Sequence, residues 1–539
     1  MPWPQSYDPL GSPLASTLVA AVPVVVLLGC LASGRVKAHF AALLGLASAV
    51  AIATAVLGMP VSAAIAAAGM GAAYGMFPIG WIVLNILFLY QLTKEEGAFD
   101  RMQTSIGSIS NDRRIQLVLI AFALGSFFEG TAGFGTPVAI TGALLIGLGF
   151  SPLEASALSL IANTAPVAFG AMGTPIVALA GVTGIDAGLL SKMVGRQLPL
   201  FSMIVPFWLI GAYDGLRGIK AVWPTILVAG ISFAVPQFLV SNYHGPALVD
   251  VVSSVCCLVC VTVFARYQSG KANRSGVAAK TAPAPRHDHV SPWIPWLILC
   301  ALVFIWGLTP TKTFLNHIYA PQIHVPWLDG MVQRVPPVVL KPQVEAAAYS
   351  FNILSGTGTS ILLAALIGGV FLGFSPGRLA RVYGRTLQIA WRSLLTITAM
   401  LAIGYLTRYS GLDAILGLAF ARTGILYPMF GTLLGWLGVA LTGSDTSSNV
   451  LFGSLQKITA TQLGLSPVLM AAANSSGGVM GKMIDAQSIV VASTATRWYG
   501  HEGKILRFVF FHSLALATLV GVLVLLQAYV MPFSGMVPR

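Results

Sequence analysis

The sequence predicts an all-α polytopic membrane protein, with about 12 spanning helices plus two re-entrant hairpins, arranged as inverted structural repeats. Three observations predict this. Of 539 residues, 56% are hydrophobic and only 9% charged, with a mean hydropathy of +0.82, whereas soluble domains hold about 25% charged residues. A chain this apolar must turn most of its surface to lipid. Second, apolar runs of roughly 20 residues, the length that crosses a bilayer, recur along it. Third, the chain repeats itself about 314 residues on. Leu92-Thr93-Lys94-Glu95-Glu96-Gly97 returns as Leu406-Thr407-Arg408-Tyr409-Ser410-Gly411, Gly149-Phe150-Ser151-Pro152 as Gly464-Leu465-Ser466-Pro467, and Ala162-Asn163-Thr164 as Ala473-Asn474-Ser475.

In order, the spans fall at 14–33, 36–57, 61–92, 153–181, 186–213, 221–241, 245–265, 292–310, 345–371, 387–405, 468–495 and 507–531. Basic residues in short loops mark the inner face. Arg35 and Lys37 put the first loop inside and so the N-terminus outside. Lys94, Arg101, Arg113 and Arg114 mark the next inside loop, and later ones hold Arg217 with Lys220, then 266–286, 378–385 and 497–507. This parity also leaves the C-terminus outside. It holds if 115–150 and 425–463 each enter and leave on one side. Two full spans in each would keep the same parity, but the tips are rich in Gly and Pro, and freed backbone at membrane depth survives only where protein or a wet cavity satisfies it. With Lys94 inside and Arg408 outside, the repeat is inverted. Residues 412–421 are too short to span and read as an interfacial helix matching 98–109 on the other face.

The chain thus divides into N-terminal helices (1–60), a first repeat (61–181, tip near 129–137) and connecting helices (182–386) with a cytoplasmic linker at 267–291 and an outside loop at 311–344. A second repeat (387–495, tip near 442–449) and a C-terminal helix (496–539) follow. No signal peptide is expected, because residues 1–13 lack a basic start and the first apolar run lacks a cleavage site.

The net charge of +13 sits at the ends of apolar runs, as membrane anchors do, which argues against nucleic acid. The five cysteines lie in or beside apolar segments; Cys257 and Cys260 spell C-x-x-C, but with no second pair or nearby histidine they read as helix packing. His287-Asp288-His289 reads as a solvated loop, and no metal or cofactor is expected. Dinucleotide, Walker, His-Glu-x-x-His and nucleophile-elbow motifs are missing, so no enzyme is indicated. Gly71-x-x-x-Gly75 is a generic helix-packing pattern.

Each half breaks an apolar run with small, polar and acidic residues: Glu129-Gly-Thr-Ala-Gly-Phe-Gly-Thr-Pro137 and Thr442-Gly-Ser-Asp-Thr-Ser-Ser-Asn449. Paired interruptions of this kind point to a transporter's substrate site. Glu129 and Asp445 are the acids of the two tips. An ionised carboxylate at the bilayer centre costs about 2.5–3.5 kcal/mol, so each must be paired, hydrated or protonated; either carries protons or is a structural acid bonded to loop amides. Asp445 or Ser447 also suits a helix cap. Asn163-Thr164-Ala165-Pro166 and Asn474-Ser475-Ser476-Gly477-Gly478 are read as interrupting the helix after each hairpin. Four breaks meeting at mid-membrane would form a small anion well, to which Thr131, Gly133, Asn163, Thr164, Ser444, Thr446, Ser447, Asn449, Asn474, Ser475, Lys482 and Gln487 are the candidate substrate ligands. Lys482 is either the counter-charge of a carboxylate substrate or a snorkelling lysine resting on Asp485.

At these residues the chain resembles the bacterial L-lactate permease family, a branch of the ion transporter superfamily. The motifs that carry the likeness are Phe128-Glu-Gly-Thr-Ala-Gly-Phe-Gly-Thr-Pro-Val-Ala139, Asn163-Thr-Ala-Pro-Val-Ala-Phe-Gly-Ala-Met-Gly173, Val194-Gly-Arg-Gln-Leu-Pro199, Asp214-Gly-Leu-Arg-Gly-Ile-Lys220 and Gly435-Trp-Leu-Gly-Val-Ala-Leu-Thr-Gly-Ser-Asp-Thr-Ser-Ser-Asn449. The resemblance implies proton-coupled uptake of lactate and related 2-hydroxy acids such as glycolate across the bacterial inner membrane, an elevator motion of the hairpin half, and a homodimer. A sodium-coupled carboxylate carrier on the same scaffold is the alternative. Asp485 departs from the family pattern, where a small neutral residue is expected.

Overall fold

The computed structural model describes residues 2–32, 36–97, 101, 109–110, 112–131, 133, 136–274, 294–339, 341–498 and 501–538. It is a helical bundle in which eight helices are long and apolar enough to cross a membrane, or ten when each of two sharply bent pairs counts as one span. Among the described residues small strands occur at one end, where Trp3–Pro4 pairs in parallel with Val332–Arg334, which in turn pairs with Gln343–Glu345.

The repeated motifs turn out to be punctuation. Gly97 and Gly411 take φ of 77° and 86° just past the helices Trp81–Glu95 and Pro376–Ser410. Such left-handed residues close helices, and glycine adopts them without strain. Gly149 and Gly464, at φ 85° and 68°, likewise end the returning arms of the two hairpins. Two residues on, Ser151 and Ser466 cap the next helices through their Oγ atoms, with proline at the first helical position of each. Each half therefore runs in the same element order: long helix, hairpin, then a second helix interrupted midway.

The first hairpin is Arg113–Thr131 followed by Thr136–Gly147, and the second is Tyr427–Thr442 followed by Asp445–Gln462. They are anchored at opposite ends of the bundle. The rod Ala187–Tyr243 folds back at Gly215 and Val222, where its dihedrals leave the helical region, so Ser191 Oγ reaches Ser241 O and Arg196 Nε reaches Asn242 Oδ1. Its first limb, Ala187 to Asp214, measures about 40 Å at the helical rise. Asp214 at the far end of that limb pairs with Arg114 at the base of the first hairpin (3.3 Å). The second hairpin's base lies at the other end, where Gln462 Nε2 donates to Pro337 O (2.9 Å). Both chain termini are held there too: Gln5 Nε2 donates to the Arg408 and Tyr409 carbonyls, and Arg196 Nη1 to Met536 O.

Three expectations change. The span placed at 345–371 is helical only from Thr357 to Phe371, because 343–350 contributes strands to the terminal sheets. The loop placed at 311–344 is structured, with the helix Thr309–Ile318 bent 76° from Ile294–Gly307, and Gln322–His324 paired with Ala348–Ser350. The linker placed at 267–291 begins helically, within Val249–Arg274; its remainder, with His287-Asp288-His289, lies outside the described residues, as does most of 98–109. Cys257 is buried in that helix with its Sγ on Ala229 O (3.5 Å).

Tight backbone crossings hold the bundle. A Cβ at Gly71 would collide with Leu401 O, whereas one at Gly69 would meet nothing within 4 Å. Gly71→Val should therefore cost about 1–3 kcal/mol of stability or more by overpacking, and Gly69→Val should be neutral by that measure. Thermal melting in detergent compares them, and equal melting temperatures would contradict the crossing.

Candidate functional site

The second tip is closed by caps and hydrogen bonds between described side chains. Helix Tyr427–Thr442 ends at Gly443 (φ 72°), and the chain restarts at Asp445 with Ser444 as the cap, its Oγ accepting from Ser447 N (3.3 Å). The cap is thus Ser444, not Asp445 or Ser447: a serine preceding the first turn can reach a first-turn amide, while Asp445 is already inside the turn. Freed of capping, buried Asp445 points at the neighbouring helix, where its Oδ2 accepts from Ser475 Oγ (2.5 Å), and it also accepts from Asn449 Nδ2 one turn along its own helix (3.2 Å).

Behind it runs a continuous chain of buried amides. Tyr427 donates to Gln456 Oε1 (2.7 Å), and Gln456 Nε2 donates to Gly431 O (2.6 Å) and Asn474 Oδ1 (3.2 Å). Asn474 Nδ2 in turn donates to Asn449 Oδ1 (2.9 Å). On the other side Ser476 Oγ donates to Gln197 Oε1 (2.7 Å), whose Nε2 reaches Gln527 Oε1 (3.0 Å).

The second broken helix differs from expectation. Asn474 to Gly478 do not interrupt it; the helix runs unbroken from Pro467 to Gly481, and the break falls at 482–485. There is no proline to remove an amide, and the glycines serve close packing instead, since a Cβ at Gly477 or Gly481 would strike the carbonyls of Thr432 or Trp436. At the break, buried Lys482 donates from Nζ to Gly443 O (2.6 Å) and pairs with Asp485 Oδ2 (3.4 Å). Asp485 Oδ1 caps the helix Ala486–Ala495 by accepting from Ser488 N (2.7 Å).

The first half is looser. Its broken helix ends at Asn163, turns through Val167–Phe169 and resumes at Gly170, with the two limbs bent by 61°. Ala171, Met172 and Gly173 occupy left-handed φ of 43°, 59° and 76° in succession. Two of these carry a Cβ, so the turn is strained and must be held by its surroundings. Glu129 is buried at the first tip, and its Oε2 accepts a hydrogen bond from Asn163 Nδ2 (3.1 Å). A Cβ on Gly170 would come within 2.8 Å of Glu129 Oε1. Glu129 lies within electrostatic reach of Lys482 and Asp445, and Asn449 Nδ2 also reaches Pro175 O (3.3 Å), so the two halves meet.

Of the candidate ligands, Asn163, Asn449, Asn474, Ser475 and Lys482 come together with both acids. Thr131 and Thr164 turn their hydroxyls back onto the Phe127 and Ile161 carbonyls (2.8 Å each). Gly133 provides the left-handed turn at the first tip (φ 57°). Thr446 and Ser447 are half-buried beside Ser444, and Gln487 is exposed. Sequence reading missed Tyr427, Gln456 and Gln197, which are buried polar residues in apolar runs, and buried Asp250, whose Cβ packs against Gly130. An acid inside a span is a functional signal by itself, and it was available at Asp250.

Acceptors outnumber donors among the unpartnered atoms. Asn163 Oδ1, Asp445 Oδ1 and both oxygens of Asp250 lack partners, beside the hydroxyls of Ser126 and Ser488, while among the described residues of the tips and breaks no side-chain nitrogen is left without a partner. The site is short of hydrogens rather than lone pairs. Gln456→Ala would orphan Asn474 Oδ1 and remove the Tyr427 hydroxyl's 2.7 Å acceptor, at about 1–3 kcal/mol for a buried group left unpaired. The protein should then melt earlier in detergent by several degrees, about what such a loss produces in a large domain; an unchanged melting curve would contradict the amide chain.

A family model described as L-lactate permease matches residues 16–531. Three curated relatives are similar over their full lengths. Glycolate permease GlcA of Escherichia coli (strain K12) is 44% identical over 99% of this chain and 99% of its own. The L-lactate permeases of Salmonella typhimurium and Bacillus subtilis are 44% and 43% identical, over 99% and 100% of this chain and all of theirs. Among solved structures, the YdaH transporter of Alcanivorax borkumensis aligns at a TM-score of 0.44 and 16% identity, covering 85% of this chain and 86% of its own. With a matching model and relatives that span it end to end, this multi-pass membrane protein belongs to the L-lactate permease family.

Proposed function

We propose that the chain imports L-lactate and related small 2-hydroxy monocarboxylates, D-lactate and glycolate among them, together with protons across the bacterial inner membrane. The relatives' names, lactate and glycolate permeases, support the substrate class. The observation that carries the coupling is the excess of carboxyl groups over cations. Lys482 is matched by Asp485, which leaves Glu129, Asp445 and Asp250 without a cationic partner. Three ionised carboxylates could not be held together there, since like charges in a low dielectric repel by several kcal/mol. Protons are the compensating charge closest to hand. Lactate offers a carboxylate for Lys482 and the half-helix amides, and a hydroxyl for Asn163, Asn474 or Ser475. The same unpartnered oxygens would also suit sodium, which is the second reading.

In proteoliposomes, an inward pH gradient should drive labelled lactate uptake with or without sodium. Glu129→Gln should lose accumulation while keeping part of its exchange. Glycolate should compete well with lactate, and propionate about tenfold worse or more, because a missing hydroxyl leaves site groups unpaired at about 1–3 kcal/mol. Uptake that requires sodium would transfer the coupling to that ion, and equal inhibition by propionate would remove the hydroxyl contact.

The opposed hairpin bases support an inverted repeat, with residues 61–181 and 387–495 related by an axis in the membrane plane and both termini outside. Single cysteines in a cysteine-free background test this. One at Asp112 should label from inside and one at Gly464 from outside. Labelling of both from one face would overturn the inversion.

A further inference from the structure

The proton-coupling reading leaves open how a proton reaches Glu129, and Asp250 answers it. Asp250 stands in the first turn of Val249–Arg274, at the end of the bundle that holds both termini, just after the loop 244–248. That loop is half-buried over 244–247 and crosses the strained turn of the first broken helix, with Pro246 O against Gly173. Asp250 itself is 1% exposed, and neither of its carboxyl oxygens has a hydrogen-bond partner. Its Cβ would lie 2.7 Å from a Cβ added at Gly130, the residue after Glu129, so the start of this helix packs directly on the hairpin beside Glu129, within electrostatic reach of that carboxyl.

Charges around the pair are few. Among the described residues the charged group in electrostatic reach of Asp250 is Glu129. Glu129 in turn faces Lys482 and Asp485 from the second broken helix, and through them Asp445. The rod Ala187–Tyr243 contributes the neutral Gln237, whose Nε2 is on Ala165 O, and the loop contributes His244, whose Nε2 is on Phe304 O at 3.2 Å. An acid with no donor, no cation and no exposed edge has no packing role that an apolar residue would not fill better. Gly130 permits the close approach that a side chain there would prevent.

We propose that Asp250 is the outer station of a proton relay, handing its proton to Glu129 across Gly130. The carboxylic acid of Asp250 protonates the Glu129 carboxylate, and the resulting Asp250 carboxylate is reprotonated from water at the end of the bundle that holds the termini. The two groups sit on different parts of the chain, Glu129 on a hairpin and Asp250 on a connecting helix. The transfer is therefore open only while the hairpin tip lies against that helix. This relay rests on the proton-coupled reading above.

The test uses the full chain in proteoliposomes under an inward pH gradient, with the parent, Asp250→Asn, Asp250→Glu and Glu129→Gln side by side. Asp250→Asn should slow gradient-driven lactate uptake about tenfold or more in an alkaline outer medium, where protons are scarce, as loss of a positioned proton donor does. It should recover in an acidic medium and should reduce lactate counterflow at equal pH by much less. Asp250→Glu should restore the parent's pH profile, and Glu129→Gln should lose accumulation at every outer pH. A parent profile in Asp250→Asn would overturn the relay. Loss at every pH would make Asp250 the carrier itself and equally overturn it, and loss of counterflow in both Asp250 variants would reduce it to a structural acid. If the parent shows no gradient-driven uptake, it is the proton-coupled reading that fails.

Discussion

The site depends on one close contact, the crossing of the second hairpin's first arm with the second broken helix. Glycines make it possible. A Cβ at Gly435 would lie inside the Asn474 backbone, and one at Gly477 or Gly481 would strike the Thr432 or Trp436 carbonyl. Gly431, Gly438 and Gly478 make room for Gln456, Ser448 and Asp445 of the hairpin's returning arm. Small residues that let helix backbones touch are the usual means of packing in lipid, where no hydrophobic effect draws helices together. With the broken helix drawn this close to the hairpin, short side chains suffice to bridge it to the hairpin's returning arm, so Ser475 reaches Asp445 and Asn474 reaches Asn449. Longer side chains at the crossing would separate the partners and leave each polar group unpaired in a dry interior.

Much of this was legible, but in layers. Composition and run length give the membrane class directly. The repeat was legible as sequence, and its meaning became physical only in the structure, where Gly97, Gly411, Gly149 and Gly464 are left-handed helix stops and Ser151 and Ser466 are caps. The position of the second break was not legible. Glycine and serine in Asn474-Ser-Ser-Gly-Gly478 weaken a helix on their own, but tertiary packing overrides that preference, and the run stays helical. In the first half, Pro166 removes an amide and the helix does stop, so there the local signal and the tertiary outcome agree. The terminal sheets were also missed, because strands of three residues carry too little periodicity to be read and are fixed by pairing with distant chain.

The two halves share an order of elements but not a mechanical character. In the second, Asp445 receives two donors, and the amides behind it are tied through Gln456 to Tyr427 and Gly431. Moving that acid means breaking several buried bonds together, and such networks are stiff because each broken member leaves its partners unsatisfied. In the first, Glu129 receives one donor among the described residues, and the nearby turn is held in a left-handed run that two of its residues disfavour. Strain and sparse bonding both lower the cost of rearrangement. A proton arriving at Glu129 changes the charge of a group tied by one bond, beside a turn already under tension. The same proton at Asp445 would alter a group braced by its neighbours. Under the proposed function, the second half is therefore suited to hold substrate and the first to answer protonation, a division of labour that follows from bond count and backbone conformation rather than from which residues are acidic.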